Sequence, residues 1–348
     1  MEKTSFKKSL LISLYLKAII NTPFIYKYDR KNIISHKITF NTLNTLLFNK
    51  EYSSDVFECV NNLKEEDFIK TNIEIYDAYQ NYNDLILNIN PQDLSYEKTI
   101  LKLRDLLDKQ KNDADITYEE MLEQANLYYN SIPDKDIRDI FNRVYKERDK
   151  NVIVGDKTAN TFLMPTIDYA LIVLGTESET YKNMLYDLIH EYGHIIQTNF
   201  NRDFLYYGKE YQPIELMPVF FNILSLFYFD SLENDIERNI TNLQTSIFLN
   251  QVKYTKEIKE NGLDAFKEKY NDAAKEIYFD HSSIQVYSYL IPMLTSFELL
   301  NKYKEDPEKA MHISKKLIMN NKDYIDLLND NKIHLGENTN EAIKMLKK

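Results

Sequence analysis

Between residues 38 and 150 the apolar positions recur with the period of a helix. In the clearest stretch Ile137, Ile140, Phe141, Val144 and Tyr145 fall at i, i+3, i+4, i+7 and i+8. One face is therefore apolar, and the spacing predicts an amphipathic helix closed by the basic run KERDK. Asn90-Pro91 and Ile132-Pro133 mark breaks between helices, because the residue before proline is pushed out of the α region. Near the start, Leu10, Leu11, Leu14, Tyr15, Ala18 and Ile19 also follow helical spacing. Lys17 interrupts that apolar run and no small-residue cleavage site follows it, so an amphipathic first helix is expected rather than a secretory signal.

The pattern changes between residues 151 and 175. Val152 to Val154 and Tyr169 to Leu174 are short β-rich runs near Gly155 and Gly175, and they predict a small sheet. Residues 176 to 200, TESETYKNMLYDLIHEYGHIIQTNF, return to helix. Thr176 and Glu179 read as a capping box. Met184, Leu185, Leu188, Ile189, Ile195 and Ile196 make the segment apolar on several sides, the mark of a buried helix. A second, very apolar helix follows at IELMPVFFNIL, and Asp306-Pro307 starts another, with proline at its first position. The tail LGENTNEAIKMLKK reads as a final capping helix. The expected fold is mainly α with a small sheet at about residues 151–175 beside the helix of residues 176–200. We expect a helical N-terminal lobe, 1–150, and a second lobe, 151–348.

Composition narrows the classes further. Six glycines and eight prolines in 348 residues leave little material for a turn-rich β fold. A net charge of -11 argues against nucleic acid as a partner, since phosphate binding needs a basic face. Cys59 is the only cysteine, which excludes an internal disulfide framework and fits a reducing, cytoplasmic compartment. No stretch reaches the roughly 18 apolar residues of a membrane span.

The chemistry lies in HEYGH. On a helix His190 and His194, four residues apart, stack on one face and can reach one metal ion, with Glu191 beside them. Burying two histidines and a glutamate would be expensive without a partner, and a divalent cation, Zn²⁺ first among them, takes up the imidazole lone pairs. Gly193 in mid-helix costs about 1 kcal/mol relative to alanine, so a close backbone approach is expected there. Catalytic zinc keeps three protein ligands and an open position. The third is sought just downstream, where Glu215 heads the apolar helix and Glu210 competes with it. The strand before the HEYGH helix could bind an extended peptide through Tyr169, Leu171, Val173 and Gly175 by strand addition. A purely structural hairpin fits that stretch equally well.

YALIVLGT, IHEYGH, Asn201-Arg202 and IELMPVFFN, in that order, resemble the zinc region of the oligoendopeptidase F and thimet oligopeptidase family. DHSSIQVYSYLIPMLTSFELL is similar to that family's His- and Tyr-bearing segment. The resemblance spans roughly residues 165 to 305 and does not extend to residues 1–150. It implies a zincin-like helical metallopeptidase with Glu191 as general base and oligopeptides as substrates. It also implies an oxyanion donor among His281, Tyr287 and Tyr289. Two other classes remain open. One is a helical binding protein with a structural metal, which would not need Glu191. The other is a zinc hydrolase or aminopeptidase, which would need acidic groups that no motif identifies.

Overall fold

The computed structural model describes residues 65–89, 96–110, 115–154, 160–164, 169–175, 180–201, 213–229, 232–270, 283–319 and 323–339, with isolated positions at 272, 274, 275, 278 and 341. The expected N-terminal helix, the Thr176 and Glu179 capping box, Glu210, His281 and the last residues of the chain lie outside the described residues.

The described chain is mostly helical, as expected. In order come α1 (Glu65–Ala78), α2 (Gln80–Leu87), α3 (Tyr96–Gln110), α4 (Tyr118–Ser131), α5 (Lys135–Tyr145) and α6 (Arg148–Asn151). The strands β1 (Val152–Val154), β2 (Asn160–Met164) and β3 (Tyr169–Leu174) follow. After them come α7 (Tyr181–Phe200), α8 (Leu216–Tyr228), α9 (Leu232–Asn261), α10 (Leu263–Lys269), α11 (Ser283–Glu305), α12 (Pro307–Met319) and α13 (Tyr324–Asp330). Ile132 is extended at φ -64°, ψ 130° ahead of Pro133, ending α4 where the proline rule places the break. α5 buries Ile137 and Phe141 from its apolar face.

Contacts group the chain into two units, and the grouping differs from the expected division at residue 150. In one unit stand α1, α2, α9 from Ser246 onward, α10 and α11 as far as Leu290. Its core includes Ile258, Phe266 and Tyr278, with Ile69, Tyr254, Leu263 and Tyr270 packed against them. The other unit holds α3 to α8, the sheet, the remaining parts of α9 and α11, and α12 and α13. Long-range packing, which no local periodicity reports, thus joins α4 and α5 to the HEYGH helix.

Within the second unit β1, β3 and β2 form one sheet in that order. β1 runs parallel to β3, with Val152 opposite Ile172, and β2 runs antiparallel to it, with Asn160 opposite Val173 and Met164 opposite Tyr169. This corrects the reading of β3 as an edge for peptide. Its main chain is paired with β2 from Tyr169 to Val173 and with β1 from Ile172 to Leu174, so β3 is the central strand and is paired on both sides at Ile172 and Val173. Phe162 stands opposite Leu171, Val173 is half-buried and Gly175 is buried.

α7 packs on α8, α4, α5, α12 and the sheet, which explains why it is apolar on several sides. Its N-terminus is closed at Thr180, whose side chain accepts from Asn183 N–H. The Asp115 carboxylate accepts from the N–H groups of Tyr181 and Lys182 at 3.0 and 3.2 Å. A carboxylate there satisfies first-turn donors and complements the helix dipole, worth about 0.3–1 kcal/mol. α8 buries ten of its thirteen residues, Phe220 and Phe221 completely. Each such side chain contributes roughly 1.5–3 kcal/mol. Pro218 sits in the first turn of α8, where a missing N–H breaks no intrahelical bond, so it does not kink the helix.

Candidate metal centre

α7 presents His190 and His194 from one face, with ring centroids 4.9 Å apart and planes at 81°. Glu215 occupies the residue just before α8, and its side chain makes no capping bond to that helix. The carboxylate turns instead to the histidines. Glu215 Oε2 lies 3.2 Å from His190 Nε2 and 3.3 Å from His194 Nε2. Among the described residues these three form the one cluster of His, Cys, Asp and Glu with ligand atoms close enough to share a metal.

Whether the donor set suits a zinc ion can be tested on this geometry. Tetrahedral coordination with bonds of about 2.0–2.1 Å holds ligand atoms about 3.3–3.4 Å apart, which matches both separations. Oε2 is buried, and apart from the two imidazoles no hydrogen-bond partner reaches it. Burial alone would raise the Glu215 pKa. The charge and hydrogen bonds of His194 and His190 outweigh burial and hold it well below the ordinary carboxylate range. For His190 burial works the other way, lowering its pKa, but the bond and charge of Glu215 overcome this and raise it. A buried anionic oxygen converging with two imidazole nitrogens is the electrostatic setting of a cation. With side chains 18%, 17% and 15% exposed, the three groups keep one side open to solvent. Glu191, next to His190 on α7, is 5% exposed.

Several contacts fix Glu215 against α7. A Cβ on Gly193 would lie 2.6 Å from Pro218 Cα and 2.9 Å from its nitrogen. The close approach expected from this glycine is thus that of α8, main chain against main chain. One turn beyond His194, the buried Gln197 side chain donates to Pro213 O (2.9 Å) and Ile214 O (2.7 Å), and accepts from Met217 N–H (2.8 Å). A single amide therefore holds the backbone on both sides of the third ligand. On α4, Tyr128 donates to Phe221 O of α8 at 2.7 Å and Tyr129 to Ile189 O of α7 at 2.6 Å. Two consecutive hydroxyls thereby fasten the two helices that carry the ligands. Tyr129 also stacks on Phe141, with centroids 4.5 Å apart.

Gln197, Tyr128 and Tyr129 carry no motif, and sequence reasoning missed them. A glutamine three residues after the second histidine, on the face of a buried helix, was the available signal for the first. Of the residues expected at the site, the structure brings together His190, His194 and Glu215, with Glu191 beside them. Tyr287 and Tyr289 belong to the other unit. Tyr287 is 1% exposed, donates to Asn83 Oδ1 at 2.5 Å and stacks on Tyr79 with centroids 4.4 Å apart. Tyr289 is half-buried, its ring 6.5 Å from that of Phe248.

Two helices, two imidazoles and a carboxylate form a candidate metal centre of the two-histidine, one-glutamate type within a mainly helical fold. That fold is shared with two solved structures: a protein described as an oligoendopeptidase F from Bacillus anthracis str. Ames and one described as a peptidase from Chlamydophila abortus. The first matches with a TM-score of 0.53 at 12% identity over 85% of this chain. The second matches with a TM-score of 0.52 at 11% identity over 92% of it. The chain spans 60% and 61% of the length of those proteins. No protein-family model and no curated protein matches the sequence.

Proposed function

We propose that this protein is a zinc-dependent peptidase that hydrolyses oligopeptides in the cytoplasm. The observation that carries this reading is the convergence of His190, His194 and Glu215 on one point with Glu191 adjacent. The fold shared with proteins described as peptidases supports it. Zinc bound by those three residues would supply Lewis acidity, lowering the pKa of water and polarising a carbonyl. Glu191 would take the proton of the attacking water and deliver it to the leaving amine. Its position on a helix fixed at Ile189 by Tyr129 favours that role, because proton transfer demands a base held in place. A substrate strand would add at the outer side of β2, since β3 is central. No described helix is long and apolar enough to cross a membrane, and we take peptides in solution as the substrates.

The test is a metal analysis joined to cleavage of a quenched-peptide library. We expect about one zinc per chain. Glu191→Gln should keep that zinc and lose about 10²- to 10⁴-fold in kcat, whereas Glu215→Ala should lose the zinc itself. Protein purified without chelators that contains no first-row metal would overturn the proposal.

A further inference from the structure

Beside the triad, the amide of Asn222 is arranged against the chemistry that a metal would impose. Asn222 lies on α8, two turns beyond Glu215. Its Nδ2 stands 3.5 Å from His190 Nδ1, while its Oδ1 is buried with no hydrogen-bond partner. A neutral imidazole that gives its Nε2 lone pair to a metal keeps its proton on Nδ1, which then is a donor. An NH₂ group facing that N–H sets donor against donor and leaves the acceptor of the same amide stranded. The present orientation suits the other tautomer, with the proton on Nε2 against Glu215. Amide oxygen and nitrogen are assigned by the hydrogen bonds they make, so a half-turn about the terminal bond is the natural alternative.

We propose that Asn222 is the positioning residue of the metal-bound site, turning Oδ1 to accept the Nδ1–H of His190 and so fixing the tautomer that aims Nε2 at the metal. The proposal rests on the zinc reading above. Its support is local. The backbone of Asn222 is itself held, since Ser225 Oγ donates to Asn222 O at 2.7 Å and Tyr128 donates to the preceding carbonyl of Phe221. The rotation exchanges a repulsive contact for a hydrogen bond with no movement of α8. An acceptor on the far nitrogen of a ligating histidine orients the ring and raises its basicity, and losing such a partner typically weakens metal binding about 10- to 100-fold.

The experiment measures zinc affinity by competition with a chromophoric chelator for wild type, Asn222→Leu and Asn222→Asp, with melting curves of the metal-free proteins alongside. Leucine keeps the volume and removes the acceptor, so a loss of about 10- to 100-fold with an unchanged metal-free melting temperature is expected. Aspartate keeps the acceptor and should retain or exceed wild-type affinity. Zinc binding by Asn222→Leu within about twofold of wild type, or an equal loss in both variants, would overturn the inference while leaving the zinc reading intact. A wild-type protein that binds no zinc would overturn both. Should Asn222→Leu fail to fold, ¹⁵N spectra of the imidazoles in zinc-loaded wild type decide. A protonated, slowly exchanging His190 Nδ1 is expected, and an unprotonated or rapidly exchanging one overturns the assignment.

Discussion

Two buried polar clusters sit in the two units, and they end differently. Around Tyr287 every group closes on another: the hydroxyl donates to Asn83 Oδ1, Asn83 Nδ2 donates to Tyr76 O at 2.6 Å, and the ring lies on Tyr79. Around Glu215 the polar groups converge and stop, with Oε2 set among imidazoles and Asn222 Oδ1 without a partner. A cluster that satisfies itself is scaffold, because each bond offsets the desolvation of its groups. One that converges without closing is arranged for something added to it. Sequence offered both as candidates for catalysis, and it is hydrogen-bond closure that separates them.

The oxyanion donor gives the largest test of this contrast. The resemblance implies a donor in the segment of His281, Tyr287 and Tyr289, and the Tyr287 hydroxyl is committed to Asn83 Oδ1, so the test falls on His281 and Tyr289. Tyr289→Phe or His281→Ala should lower kcat about 10²- to 10³-fold with little change in KM. Near-normal kcat in both would leave the segment out of the chemistry. A smaller effect is expected at the helix contact: Gly193→Ala drives a methyl into the Pro218 backbone, which should destabilise the fold by about 1–3 kcal/mol and weaken zinc binding together. Denaturant melts with and without zinc measure both, and an unchanged midpoint would show that α8 can move aside.

Tyr287→Phe deletes a hydroxyl bonded within the scaffold. It should cost about 1 kcal/mol of stability and leave kcat within a few-fold. A large fall in kcat at unchanged stability would reverse the distinction between the clusters. A separate, pH-dependent effect concerns Glu237 on α9, whose pKa burial, and then the charge of Asp187, push up to about 8. The folded state therefore holds a proton that the unfolded state releases near pH 4.5. Stability from this group is full below about pH 4.5 and declines as pH rises toward 8. Glu237→Gln should remove that part of the slope, which melts between pH 5 and 8 would detect.

The candidate metal centre was legible because its signals are local. Two histidines on one helix face, a glycine that had to admit a neighbour, and a glutamate heading an apolar run can all be read within a few dozen residues. What supports the centre was not legible. Gln197 meets Met217 across a turn, and Tyr128 and Tyr129 reach Phe221 and Ile189 from a helix far earlier in the chain. Tyrosines are so frequent here, 27 in all, that none stands out by identity. The central place of β3 in the sheet was not legible for a related reason. Its β-rich composition marks a strand, but whether the strand is central or at an edge depends on partners elsewhere, and the run Asn160 to Met164 had not been recognised as one of them.

The contact at Gly193 has a mechanical consequence. Helices usually meet through a layer of side chains, which can change rotamer and absorb a small shift between axes. Where α7 and α8 touch main chain to main chain there is no such cushion, so a displacement of one is passed to the other without slack. Glu215 is then geared to His190 and His194 rather than tethered to them. Opening of either helix should take all three ligands out of register at once, and amide exchange along α7 and α8 should report a single cooperative event.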